Sequence, residues 1–240
     1  MISDNNQQLQ QVVYFTRHGN RADWNNPDWA KIAERVCDPP LSDIGLNAAS
    51  ELGVECARNS SISPSHSIKH IIVSPMIRCI QTARAIAKQL GNGITLKVEP
   101  GLIDWHPDYE IEYLTTPELS ALYPELIDIN YIPIVPLVKD KAETVYDLFK
   151  RSHDSIDGLL QRYSSLNEAI IVVTHACNCV SMTRHLLKNE EHQVGSGVCH
   201  LTKLVRNANG GEWTVELNGS TSHLTQGEQH TWTGIFPKDP

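Results

Sequence analysis

The sequence predicts an α/β fold, a mostly parallel central sheet with helices on both faces. Two observations carry this. Short runs of β-branched residues alternate with segments of helical periodicity. Three of those apolar runs also end alike, in a small polar residue with a basic one close behind. At 240 residues, surface scaling buries about 70% of the area the unfolded chain exposes, enough for a core without disulfide or metal staples. Residues 1–240 are read as a single domain, with an insertion at about 106–141 and an extended tail at 218–240.

The first strand is Val12-Val13-Tyr14-Phe15, running into Thr16-Arg17-His18-Gly19. A helix follows from Ser42, its N-cap, with Ile44, Ala48 and Leu52 spaced along one face. After a serine-rich loop comes Ile71-Ile72-Val73, stopped by Ser74-Pro75, which reads as cap and first residue of the next helix. That helix carries Arg78 in its first turn, then Ile80, Ala83, Ile86, Ala87 and Leu90, and ends at Gly91. Residues 94–98 read as the third strand. The proline-rich stretch 106–141 reads as an insertion roofing the site, with one short helix capped by Thr116. A long helix spans about 142–163, the strand 169–173 runs into Thr174-His175-Ala176, and a helix reaches Leu187. Two alternating strands around Asn209-Gly210-Gly211 make a hairpin.

Composition excludes several classes. The longest aliphatic stretch, residues 169–173, is far short of the ~20 residues of a spanning helix, so no membrane partner is expected. The first residues, MISDNNQQLQQ, lack the basic and apolar regions of a secretory signal. The six cysteines show no C-x-x-C pair or zinc spacing and read as reduced thiols of a cytoplasmic or nuclear protein. Twenty basic residues against 28 acidic ones leave a net charge of −8, which disfavours direct nucleic-acid binding. Any bound anion must be held by a local site working against that field.

The strand ends supply such a site. In an open parallel sheet, ligands bind beyond the carboxyl ends of the strands, and this chain can bring Arg17, His18, Arg21, Arg78 and His175 to one rim. That many cation-prone groups repel one another unless an anion sits among them. Arginine forks match phosphate oxygens in pairs, so phosphate is the natural occupant. No G-x-x-x-x-G-K-[ST], G-x-S-x-G or H-E-x-x-H motif is present. Cys79 and Cys179 each stand one position short of a C-x₅-R spacing. Histidine remains as nucleophile, since neutral imidazole keeps one nitrogen free near pH 7.

Arg17-His18-Gly19 after a strand, Arg78 within SPMIRCIQTA and His175 within VVTHA resemble the histidine phosphatase (phosphoglycerate mutase-like) superfamily, over residues 12–205. RHGNR, DPPLS and VEPGLIDW are similar to two branches: the phosphatase domain of the suppressor-of-T-cell-receptor-signalling proteins, and the phosphatase-like subunit of RNA polymerase III transcription factor C. The tail sequence is closer to the fungal form of the second.

The resemblance implies a three-layer sandwich and a metal-independent phosphatase without cofactors. His18 would attack phosphorus, and Arg17, Arg21 and Arg78 would bind its oxygens. His175 would donate to the transferring group, and Asp104 would protonate the leaving oxygen, with Glu99 and Asp108 as fallbacks. The implied partners are a phosphorylated small molecule or phosphoprotein and, in a rival reading, the other subunits of a transcription factor complex. A mutase is a further rival within the enzyme class. Cys177 and Cys179 could form half a metal clip or pack as small apolar groups, and Trp24, Trp29 and Trp105 could line the mouth or the core.

Overall fold

The β-branched runs form six strands: β1 (Gln10–Arg17), β2 (Ile68–Val73), β3 (Leu96–Val98), β4 (Ala169–Thr174), β5 (Leu201–Asn207) and β6 (Thr214–Ser220). They lie in one sheet in the order β3-β2-β4-β1-β5-β6. The first four pair in parallel, while β5 runs antiparallel to β1 and β6 antiparallel to β5. The computed structural model describes residues 10–91, 93–107, 111–136, 142–163, 168–207, 211–232 and 236, and nothing is said of the side chain of Asn207. The expected hairpin turn therefore lies outside the described residues, though both its strands are present.

Helices cover both faces: α1 (Trp29–Ile32), α2 (Asp43–Ser60), α3 (Ile77–Leu90), α4 (Thr116–Leu122), α5 (Val145–Arg162) and α6 (Ala176–Leu187). Strand alternation sorts the core into two layers. Val12 and Tyr14 of β1 join Ile171 and Val173 of β4 under α2 and α3. Val13 and Phe15 join Ile170 and Val172 under α5 and α6. Burying each such aliphatic side chain contributes ~1.5–3 kcal/mol. Among the described residues no helix is long and apolar enough to cross a membrane.

Several local expectations are corrected. On α2, Ile44 is 47% exposed; the buried face is Gly45, Ala49, Leu52, Gly53 and Cys56. The reason is close approach: a Cβ on Gly53 would stand 2.7 Å from the carbonyl oxygen of Ala85 on α3, and one on Gly45 would collide with the backbone of Asn20. A face of small residues has no hydrophobic period to read. Ser74-Pro75 does not start α3, whose N-cap is Met76. Helix α4 is capped by Thr115 through a capping box with Glu118, one residue before the expected Thr116, and α5 starts at Val145 behind a second box, Thr144 with Asp147.

The described part of the insertion packs at the edge of the sheet. Its residues 126–128 add a bridge to the free edge of β3, and Ile111, Leu119 and Ile127 enter the core under α3. The tail begins inside β6 and then folds back instead of extending. Leu224 is buried, Thr225 binds Glu51 on α2, and the N–H of Val198 donates to the carbonyl of Gln229 at 3.1 Å.

Candidate active site

Four adjacent strand ends converge. The N–H of His18, just past β1, donates to Thr174 at the end of β4; Ser74 donates to Val173; Glu99 donates to Val73. These bonds lock the ends in register, so residues distant in sequence share one rim. The pocket there, about 160 Å³, is lined by Arg17, His18, Arg21, Asp104, His175 and Trp232 among others. Arg78 lies directly behind it, 1% exposed, its Nη2 donating to Oδ2 of Asp104 at 3.0 Å.

His18 is 2% exposed. Its Nδ1 lies 2.8 Å from the carbonyl oxygen of Gly19, which can only accept, so Nδ1 carries the proton and Nε2 keeps its lone pair. Gly19 cannot be replaced freely: a Cβ there would stand 2.8 Å from the carbonyl of Gly45. Burial, then the charges of Arg78, His175 and Arg17, hold the His18 imidazole well below its usual pKa, so it is neutral and nucleophilic at physiological pH.

His175 stands edge-on to His18, ring centroids 5.2 Å apart. Its Nε2 meets Ser74 Oγ at 3.0 Å, and its Nδ1 faces Oδ2 of Asp104 at 3.3 Å. Burial lowers its pKa to about 4, against the pull of Asp104. Burial raises the proton affinity of Asp104, but His175, Arg78 and His18 outweigh it and hold the carboxyl well below the usual range. Oδ1 of Asp104 accepts from the N–H of Trp105 at 3.0 Å and from the Cys177 thiol at 3.4 Å.

All six cysteines are free thiols. Cys179 packs in the core beneath the sheet, whereas Cys177 lines the pocket and donates to Asp104.

The arginines are held differently. Arg17 Nη1 donates to the carbonyls of Ser196 and His230, at 3.0 and 2.6 Å. Arg21 forms a paired bond to Asp23. Among the described residues, Nε of Arg17, and Nε and Nη1 of Arg78, are buried with no hydrogen-bond partner. Behind Arg78, Asp38 approaches Nη1 at 3.7 Å.

Around the mouth, the Trp24 ring centroid lies 6.1 Å from that of His18, and the ring is tilted against His230 at 4.1 Å; Trp105 and Trp232 form part of the wall. Trp29 is elsewhere, bonded to Val36. Of the fallback carboxylates, Glu99 is buried away from the pocket, accepting from Tyr131, Ile134, Val135 and Gly101, and Asp108 lies outside the described residues. Asp38, Ser74, Cys177 and Trp232 were not assigned to the site from sequence, Ser74 being read as a helix cap and Cys177 as half a metal clip or a packing thiol. Ser74 and Cys177 stand beside motif residues, a usable signal, whereas nothing local marks Asp38 or Trp232.

The sequence profile described as the histidine phosphatase superfamily (branch 1) matches residues 13–219. Among curated proteins, the chain is 27% identical over 225 residues to the ecdysteroid-phosphate phosphatase of Bombyx mori, covering 80% of this chain and 33% of that protein. It is 24% identical over 261 residues to the transcription factor tau 55 kDa subunit of Saccharomyces cerevisiae, covering 92% of this chain and 58% of that protein. The chain thus spans only part of these relatives. Among solved structures, the ecdysone phosphate phosphatase of the silkworm in complex with tungstate superposes with a TM-score of 0.73, at 22% identity, over 95% of this chain and 98% of that one. With the profile spanning all six strands, and the Arg-His-Gly, Arg78 and His175 motifs converging on one pocket, the chain belongs to the histidine phosphatase superfamily.

Proposed function

We propose that this chain is a phosphomonoesterase working through a phosphohistidine on His18, with guanidinium groups doing the work a metal would do elsewhere. The observation that carries the reading is the pairing of a free His18 Nε2 lone pair with buried, unpartnered N–H groups on Arg17 and Arg78. Buried donors without partners are costly, and a phosphoryl dianion supplies the missing acceptors. In the first step His18 Nε2 attacks phosphorus, an N–P bond forms, and the P–O bond to the alcohol breaks. Arg17, Arg21, Arg78 and His175 steady the equatorial oxygens, each such donor being worth roughly 10²–10³ in rate.

Asp104 gives the proton to the departing oxygen. It is held ionised by His175 and then Arg78, and a dianion competing for both raises its proton affinity, so binding itself prepares the acid. In the second step Asp104 takes a proton from water, water attacks phosphorus, the N–P bond breaks and phosphate leaves. The tryptophans at the mouth fit an apolar leaving group, in line with the relatives named for ecdysteroid phosphate.

The test is phosphate release from an aryl phosphate with excess chelator, beside His18→Ala and with acid-labile, alkali-stable phosphate traced by mass spectrometry. Chelator-resistant turnover and a phosphorylated imidazole, both lost in the variant, are expected. A folded wild type without turnover from acid to neutral pH rejects the reading. The match to the tau 55 kDa subunit over 92% of the chain supports a second role as a nuclear complex subunit, alone or alongside catalysis. Purification from its source without stable partners removes that role.

A further inference from the structure

Beneath the loop that carries Asp104 lies a buried ion pair that no step of the proposed reaction uses. Arg151 on α5 binds Glu143 through both arms, Nε to Oε1 at 2.7 Å and Nη2 to Oε2 at 2.6 Å. Both residues are buried, and neither lines the pocket. A buried pair of this kind is poor value for stability, since the desolvation of two charges is repaid at best by their attraction, and apolar isosteres often do as well. Its position shows what else it does.

The pair holds the backbone on both sides of Asp104. Arg151 Nη1 donates to the carbonyls of Gly101 and Ile103, at 2.7 and 3.1 Å. Asn178 of α6, fully buried, donates to the same Ile103 carbonyl at 2.8 Å and is itself fixed by Ser152 Oγ at 2.8 Å. On the far side, the carbonyl of Glu143 accepts from Trp105 Nε1 at 2.9 Å, and its N–H donates to the carbonyl of His106 at 3.1 Å. The Ile103 carbonyl before Asp104, and the Trp105 indole and His106 carbonyl after it, are thus tied to one cluster of Glu143, Arg151 and Asn178. A loop left to itself would let the carboxyl wander by more than the fraction of an ångström that proton transfer tolerates.

We infer that Arg151, with Glu143 and Asn178, is a positioning cluster for the proton donor. Its loss impairs the reaction in proportion to how badly the leaving group needs a proton. The inference rests on the phosphatase reading and on Asp104 as the acid. A purely structural residue would lower turnover of every substrate alike.

The experiment is a leaving-group series: kcat/KM for 4-nitrophenyl phosphate, phenyl phosphate and a simple alkyl phosphate. It is run on wild type, Asp104→Asn, Arg151→Met, and Arg151→Met combined with Glu143→Leu. The double variant removes both charges, so it restores folding where the single change leaves Glu143 buried and unpaired. Wild type is expected to depend weakly on the leaving group. Asp104→Asn and both Arg151 variants are expected to lose about 10²-fold on the alkyl ester, the scale of a general acid, and only a few-fold on the nitrophenyl ester. A double variant that folds and keeps the wild-type profile overturns the positioning role while leaving the phosphatase reading intact. A flat profile for Asp104→Asn removes Asp104 as the acid, and this inference with it. Wild type without turnover rejects the proposed function first.

Discussion

Oδ1 of Asp38 accepts the backbone N–H of Ile77 at 2.8 Å, across a separation of 39 residues. That bond caps α3 from outside its own segment and leaves the same carboxylate facing Arg78 and Arg35, at 3.7 and 3.8 Å. Asp38→Ala therefore removes a cap, worth ~0.5–2 kcal/mol, and leaves the buried back of Arg78 without its counter-charge. We expect a loss of at least about 2 kcal/mol in urea unfolding. An unchanged midpoint would contradict this role.

The pH dependence of stability carries two opposing signs. Burial pushes the Asp38 carboxyl up to about 6, above its unfolded value. Its contribution is therefore full below about 4 and is lost as pH rises through 6. His175 and His200 are lowered by burial to about 4. Their contributions are full above about 6.5 and are lost as pH falls toward 4. By linkage each histidine is worth on the order of 3 kcal/mol, so net stability should fall from pH 7 to 4. Asp38→Asn, which titrates nothing, should fall more steeply over that window. Equal slopes in the two proteins would count against the Asp38 shift.

The His18 tautomer is directly observable. Nitrogen-resolved NMR at pH 7 should show His18 neutral, protonated at Nδ1, and still neutral at pH 6, given the Gly19 carbonyl and the cationic surroundings. An ordinary titration midpoint near 6.5 would show that burial and the surrounding charges do not act as described.

The α2–α3 contact gives a prediction opposite to helix propensity. Gly53→Ala should gain up to ~1 kcal/mol from propensity alone. The new Cβ would lie 2.7 Å from Ala85 O and 2.9 Å from Cγ of Gln89, an overpacking cost of about 1–3 kcal/mol. A net loss on thermal unfolding is expected, and a stabilised variant would mean the helices part easily.

Trp232 offers a readout of the mouth. Trp232→Ala should raise KM for an aryl phosphate by roughly tenfold, the scale of one aromatic contact. Competitive inhibition by inorganic phosphate should change little, because the proposed phosphate ligands are the cationic groups of the pocket and not the Trp232 ring on its wall. Equal weakening of both would place Trp232 in general support of the pocket.

What was legible in the sequence follows the range of the forces involved. Strands β1, β2 and β4 are buried on both faces and so are written as β-branched runs, and Arg17, His18, Arg78 and His175 sit at fixed offsets from them. The buried face of α2 was misread because glycine, not a hydrophobic residue, sets its contact. Ser74 was taken for a cap because its true counterpart, Asp38, stands a whole helix earlier, while Ser74 turns instead to His175. Glu99 looked available as an acid, yet its four partners include Tyr131, Ile134 and Val135 from the insertion. Trp232 comes to the pocket only because the tail folds back, and no local pattern encodes that.

The clasp between Arg17 and the carbonyl of His230 joins residues 213 positions apart, and β1 finds both its neighbours, β4 and β5, in the last third of the chain. During synthesis the strand that leads into His18 precedes both of those neighbours and is seated only once they have emerged. A chain stopped between His175 and β5 leaves β1 without one of its two neighbours and Arg17 without the His230 carbonyl, and is expected not to seat His18.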